Sequence, residues 1–301
     1  MNNQELIRGI NKLKKEKNAV ILVHNYQVSE IYEVADFLGD SLELCQKAAN
    51  TDAEIIVFCG VDFMAESAKV LSPDKIVLHP EKLAECPMAQ MVSASQILEM
   101  KEKYPSAAVV SYVNTTTEVK AVSDICCTSA NAVKVVGSLS EKEIIFAPDK
   151  NLAAYVQSKL PEKKIIPVEG HCYVHDKILA SSVKEAKNNY PNASVVVHPE
   201  CRPDVVSLGD VVCSTSQMIS YCGESDAKEF IIATECGMIN RLAREIPDKK
   251  FYAIGGVCIQ MKKISLQKVY DSLKNEKVKI ELSEEVRLKA KKALDRMLEV
   301  V

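Results

Sequence analysis

The sequence contains no tryptophan and only six phenylalanines, so it offers no aromatic platform on which nucleic-acid bases could stack. Its net charge is −3, and its basic residues are spread along helix-like stretches where Lys-rich turns read as solvated surface. Nucleic acid is therefore excluded as a partner. No apolar run reaches the roughly 18 residues that span a bilayer, and the polar start MNNQELIRGINKLKKEK has no signal-peptide apolar segment. These absences exclude a membrane partner and lead us to expect a cytoplasmic protein. In that reducing compartment the eleven cysteines read as thiols or metal ligands in preference to disulfides.

Three of those cysteines recur at a fixed interval. Cys86 in AECPMAQM, Cys172 in EGHCYVH and Cys258 in GGVCIQMKK stand 86 residues apart, twice over. Three thiolates meeting at one point make a metal site one ligand short of four, and an open position is what a catalytic metal keeps for water or substrate. The sequence around them repeats too. The apolar runs before His24, Tyr112 and His198 are offset by 88 and then 86 residues, and each reads as a short buried strand. Acids at Asp36, Asp124 and Asp210 follow, then hydroxyls at Ser41, Ser129 and Thr215. The stretches EIIVFCGVDFMAESAK, EIIFAPDKNLAAY and EFIIATECGMINRLA align as strand, turn and helix, and a last short strand precedes each cysteine.

A period of about 87 residues is too long for a solenoid repeat and suits a small α/β domain. Strand signals alternating with helical patterns predict an α/β fold of three pseudo-threefold-related three-layer αβα domains, their parallel sheets arranged around a central site. The expected boundaries are residues 1–104, 105–190 and 191–301. The last unit carries a C-terminal helix beginning near Ser283, packed across the domains.

In open α/β sheets ligands bind outside the carboxyl ends of the strands. His24, Asn25 and Tyr26, then Tyr112, Val113 and Asn114, then His198, Pro199 and Glu200 directly follow the three first strands. They are expected to face one cavity. Ser41, Ser129 and Thr215 at helix starts could cap those helices or bind an anion there; three in register predict a ligand with several carboxylates or a phosphate. Glu200 and Tyr26 supply a base and an acid. His171 and His175 flank Cys172 and read as acid/base or supporting groups. Cys59, Cys126, Cys127 and Cys213 lie in or beside apolar strands and read as core residues, and His79 as a satisfied polar residue. A structural zinc ion is the competing use of three thiolates, with His171 or Cys201 as its fourth ligand.

HNYQ from His24, GDSLEL from Gly39, GVDFMAE from Gly60, CPMA from Cys86, YVNTT from Tyr112 and TSANA from Thr128 occur in order. PDKNLA from Pro148, GHCYVH from Gly170, HPEC from His198, STSQM from Ser214 and VCIQMKK from Val257 continue the series. Together they resemble the quinolinate synthase family over nearly the whole chain. The resemblance implies a 4Fe-4S cluster on Cys86, Cys172 and Cys258 with one iron left open. It implies condensation of iminoaspartate with dihydroxyacetone phosphate to quinolinate, with loss of phosphate and two waters, the open iron acting as Lewis acid. By the same resemblance His24, Ser41, Tyr112, Asn114, Ser129, His198, Glu200 and Thr215 bind substrate, and Glu200 with Tyr26 moves protons; Val113 and Pro199, from their strand-end positions, are also expected to bind substrate, and Tyr112, His171 and His198 to be catalytic. A functional link to the oxidase or dehydrogenase that makes iminoaspartate is also expected. Diphthamide-synthesis enzymes, which place one cysteine from each of three related domains on such a cluster for radical chemistry, are the rival class; HNYQ, YVN and HPE favour the small-molecule enzyme.

Overall fold

The computed structural model describes residues 1–300; Val301, the end of the expected third unit, lies outside the described residues. Twelve strands form three four-stranded sheets. The first holds β1 (Ala19–His24), β2 (Phe37–Gly39), β3 (Ile55–Cys59) and β4 (Ile76–Leu78). The second holds β5 (Ala108–Tyr112), β6 (Ile125–Cys127), β7 (Glu143–Ala147) and β8 (Lys164–Pro167). The third holds β9 (Ser194–Val197), β10 (Val211–Val212), β11 (Glu229–Ala233) and β12 (Lys250–Ala253). Each sheet is wholly parallel, and each has the same order: second strand, first, third, fourth. The threefold αβα architecture expected from the repeat is present.

Burial on both faces explains why the first strands are unbroken apolar runs. In β1, Val20 and Leu22 enter one large core that runs through all three units, while Ile21 and Val23 enter a separate outer core. In β5, Val110 joins the shared core and Val109 an outer one. In β9, Val196 points inward and Val195 and Val197 outward. The alternation of side chains along a strand thus serves two layers at once.

The outer layer passes from one unit to the next. Helix Ala94–Lys103, which follows the Cys86 loop, contributes Ile97 to the core outside the second sheet, beside Val109 and Ile145. Helix Ala180–Asn189, after the Cys172 loop, sends Val183 and Ala186 against the third sheet's Val195 and Ile231. Helix Leu266–Asn275, after the Cys258 loop, returns to the first sheet, where Leu266, Val269 and Leu273 join Ile21, Val23 and the N-terminal helix Asn3–Glu16. The ring is closed by the chain's own ends. Helix Glu284–Glu299 packs on helices Asp62–Leu71 and Thr117–Ala121 and on β6, bridging the first two units. Ser283 stands at its N-cap, although its side chain makes no capping hydrogen bond.

Candidate active site

All first strands end at the same place. His24 closes β1, Tyr112 closes β5 and His198 follows β9, and all three line one cavity between the sheets. Cys86, Cys172 and Cys258 line it as well, each on the loop after its unit's fourth strand. Tyr26, Ser41, Asn114, Ser129, Glu200 and Thr215 complete the group. Four expected residues stand apart. Asn25 and Val113 are buried outside the lining, Pro199 borders a second hollow that shares Ser129, and His171 lies on the loop beside Met91, whose sulfur accepts its amide N–H at 3.4 Å.

The helix-start hydroxyls are not the caps. Asp40 caps helix Ser41–Asn50 by accepting the amide N–H groups of Leu42 and Glu43 at 3.0 and 3.1 Å, and Ser214 caps helix Thr215–Glu224. Ser41 and Thr215 therefore occupy the first helical turn with their hydroxyls spared from capping, while Ser129 precedes helix Ala132–Ser138. Asn25 Nδ2 reaches across from the first unit to donate to Thr215 Oγ1 at 3.0 Å. Asn114 Oδ1 is buried with no partner. An unpaired buried acceptor on a cavity wall is costly unless a ligand satisfies it.

The two histidines share one arrangement. The amide N–H of Tyr26 donates to His24 Nδ1 at 3.1 Å, and that of Glu200 to His198 Nδ1 at 3.3 Å. An accepting Nδ1 leaves the proton of the neutral ring on Nε2, a donor. Both rings stay neutral because burial pushes them down to about 3, helped at His24 by the Lys262 ammonium and at His198 by the His175 ring. His175 stacks on His198 with centroids 4.5 Å apart.

A continuous polar chain crosses the cavity wall. The Tyr26 hydroxyl lies 2.6 Å from Thr234 Oγ1, which lies 2.8 Å from His175 Nε2. His175 Nδ1 is 2.7 Å from Glu200 Oε2, in contact without the alignment of a directed hydrogen bond. Glu200, Tyr112 and Ser129 line the same cavity. Burial opposes ionisation of Glu200, but the His175 ring and its other partners outweigh it and hold the carboxyl low. Burial and the Glu200 charge push the Tyr26 and Tyr112 phenols well up. The cavity thus contains a carboxylate able to accept protons and two phenols able to donate them.

Of the pair His171 and His175, both expected as acid/base or supporting groups, the structure places His175 against Glu200 and His171 outside the cavity lining. Thr234 and Glu235 are site candidates that the sequence pattern does not single out; they follow β11 as Asn25 and Tyr26 follow β1.

The three ligand candidates are partly exposed, whereas Cys45, Cys59, Cys126, Cys127, Cys201, Cys213 and Cys222 are buried. Cys201 lies outside the cavity lining, its thiol on the Ala233 carbonyl at 3.5 Å. His79 is buried and paired with the Gly60 carbonyl at 2.9 Å, as a satisfied core histidine. Burial pushes the thiols of Cys86, Cys172 and Cys258 up, with Cys258 adding to the rise at Cys86 and Cys86 to the rise at Cys172. Cys172, His175 and Glu200 offer ligand atoms within 4.8 Å of one another. The donor set suits a bound metal.

Three parallel-sheet units that each deliver a strand end and a cysteine to one buried cavity fit an α/β enzyme, with that cavity as its candidate active site. Comparison with known proteins gives the family. The model of the quinolinate synthetase A protein family, NadA, matches residues 8–299. The chain is 52% identical over 302 residues to quinolinate synthase of Alkaliphilus metalliredigens, covering 100% of both chains. It is 52% identical over 301 residues to that of Pyrococcus furiosus, covering 99% of this chain and 98% of the relative. It is 53% identical over 302 residues to quinolinate synthase 1 of Methanosarcina acetivorans, covering 100% and 99%. The chain belongs to the quinolinate synthase family and is an enzyme. Nothing in these matches supports the diphthamide-type alternative.

Proposed function

We propose that this enzyme condenses iminoaspartate with dihydroxyacetone phosphate to form quinolinate for NAD biosynthesis, releasing phosphate and two waters. The reaction needs no net oxidant or reductant. The observation that carries the reading is the convergence of three cysteines, three helix-start hydroxyls and the chain from Tyr26 to Glu200 on one cavity. Cys86, Cys172 and Cys258 would hold a 4Fe-4S cluster. When bound, its open iron supplies Lewis-acid polarisation of a departing hydroxyl.

The chain's own groups divide the remaining work. Nε2–H of His24 and His198, with Ser41, Ser129 and Thr215, would bind the carboxylates and phosphate, and Asn114 Oδ1 would take a substrate donor. Val113 and Pro199, outside the lining, would support it from behind. Glu200 would accept the proton lost from the condensing carbon, and His175 and Thr234 would connect it to Tyr26, which would donate to the leaving oxygen. Tyr112, which lines the cavity together with Glu200 and Ser129, would hold the carboxylate in line. His171 would act from the adjoining loop. Burial of the cavity would protect the imine from hydrolysis. Supply of that imine links the enzyme to an oxidase or dehydrogenase acting on aspartate. A reducing cytoplasmic setting suits eleven free cysteines, and no described helix is long and apolar enough to cross a membrane.

The test is an anaerobic assay of the iron-loaded protein with both substrates. Quinolinate and phosphate are expected in equal amounts. An intact cluster with no quinolinate would overturn the reading, and a colourless protein carrying one zinc would overturn its metal centre.

A further inference from the structure

Each candidate cysteine is held from behind by a carboxylate of its own unit. The amide N–H of Cys86 donates to Asp62 Oδ1 at 2.9 Å, that of Cys172 to Asp149 Oδ2 at 3.0 Å, and that of Cys258 to Glu235 Oε1 at 3.0 Å. The acids precede their cysteines by 24, 23 and 23 residues. Topology explains the spacing. Each acid follows its unit's third strand, each cysteine loop follows the fourth, and those two strands are hydrogen-bonded neighbours in every sheet.

The carboxylates are themselves anchored. Asp149, fully buried, uses Oδ1 to cap helix Lys150–Lys159 through the Leu152 amide at 2.7 Å. Glu235, 1% exposed, accepts the Gly237 amide at 2.7 Å and pairs with Lys262 at 3.1 Å, a lysine from the loop after Cys258. Asp62 opens helix Asp62–Leu71, where the helix dipole favours an acid. The cysteine loops also tie to one another. His171 N–H meets Met91 Sδ at 3.4 Å, Ile259 N–H meets the Tyr173 hydroxyl at 3.0 Å, and Lys263 Nζ meets the Leu83 carbonyl at 2.8 Å. The first contact joins units one and two, the second two and three, the third three and one.

We propose that Asp62, Asp149 and Glu235 are positioning residues that fix the three cysteine loops before any metal group is bound, one acid per unit. This rests on reading Cys86, Cys172 and Cys258 as ligands. The acids bond the backbone of the ligand residues and leave the sulfurs free, so the loops are set by the sheets and need not be assembled by the metal. Partners one step removed from a metal orient its ligands and govern how firmly it is retained.

Two measurements on the full chain test this. In the metal-free wild type, the amides of Cys86, Cys172 and Cys258 are expected to be protected from deuterium exchange; exchange at the rate of a free loop would overturn the inference, whatever the variants do. After anaerobic reconstitution with iron and sulfide, Asp62→Ala, Asp149→Ala and Glu235→Ala are each expected to lose iron to a chelator about tenfold faster than wild type. Asp62→Asn, Asp149→Asn and Glu235→Gln keep an acceptor oxygen and should restore near wild-type retention and visible spectrum. Alanine variants that retain iron as long as wild type would also overturn it. A wild type that binds no iron and sulfide would instead sink the reading of the cysteines, and the exchange result would still decide the role of the acids.

Discussion

Glu200 is the residue on which the chemistry turns, because its carboxylate lies against His175 Nδ1 at 2.7 Å while its backbone N–H donates to His198 Nδ1. Replacing it by Gln keeps the shape and removes the base. Glu200→Gln is expected to lower kcat by about 10²- to 10⁴-fold with the cluster spectrum unchanged, read by anaerobic steady-state kinetics beside visible absorption. A second residue-level expectation concerns pH. His24 and His198 titrate near 3 in the folded protein, below the ordinary 6.5, so between those values the unfolded chain holds protons that the folded chain refuses. Stability must then fall as pH drops through that window, by about 1.4 kcal/mol per pH unit for each histidine. Urea melts of the wild type should show a steeper acid loss than those of a His24→Asn, His198→Asn double variant; equal slopes would show that the rings take up protons in place. The strand-end histidines were legible because they recur in register. His175 was legible only as a neighbour of Cys172, and Thr234 not at all, since their contacts run between units and no spacing within one repeat encodes them.

Among the elements, the first strands and their acids show what a repeat can disclose. Asp36, Asp124 and Asp210 each accept the amide N–H of a first-strand residue, Ile21, Val109 and Val195, all at 2.8 Å. Each acid also returns its own amide to the same residue's carbonyl. The recurring acid is thus a clamp between the first strand and the turn into the second, a structural reason for a pattern visible in the sequence. The alternation of β1, β5 and β9 between two cores was legible as apolar runs, but which helix covers which outer face was not. Leu273 shows the difference, being fully buried against the first sheet although it lies at the far end of the chain. Leu273→Ala is expected to cost about 2–5 kcal/mol, measured by denaturant unfolding of the metal-free protein, and to reach the N-terminal helix through Leu6 and Ile10, which share that core.

At the scale of the whole molecule, one core runs through all three units and the C-terminal helix Glu284–Glu299 closes it, burying Ala290, Ala293, Leu294 and Met297. Leu294→Ala should therefore lower the melting temperature of the entire chain in a single transition; a separate early transition would mean that the first two units hold together without that helix. The sequence made the threefold plan visible because gene-scale repetition leaves residue-scale register. It could not show that the polar helix after each cysteine loop covers the sheet that follows, with the third passing back to the first. That exchange has a consequence for synthesis. A ribosome reads the chain from one end, and the first sheet emerges with the N-terminal helix and its own Ile31, Tyr32 and Val34 over its outer face. Its remaining cover, Leu266, Val269 and Leu273, is made nearly last, so the earliest domain translated is among the last to be finished.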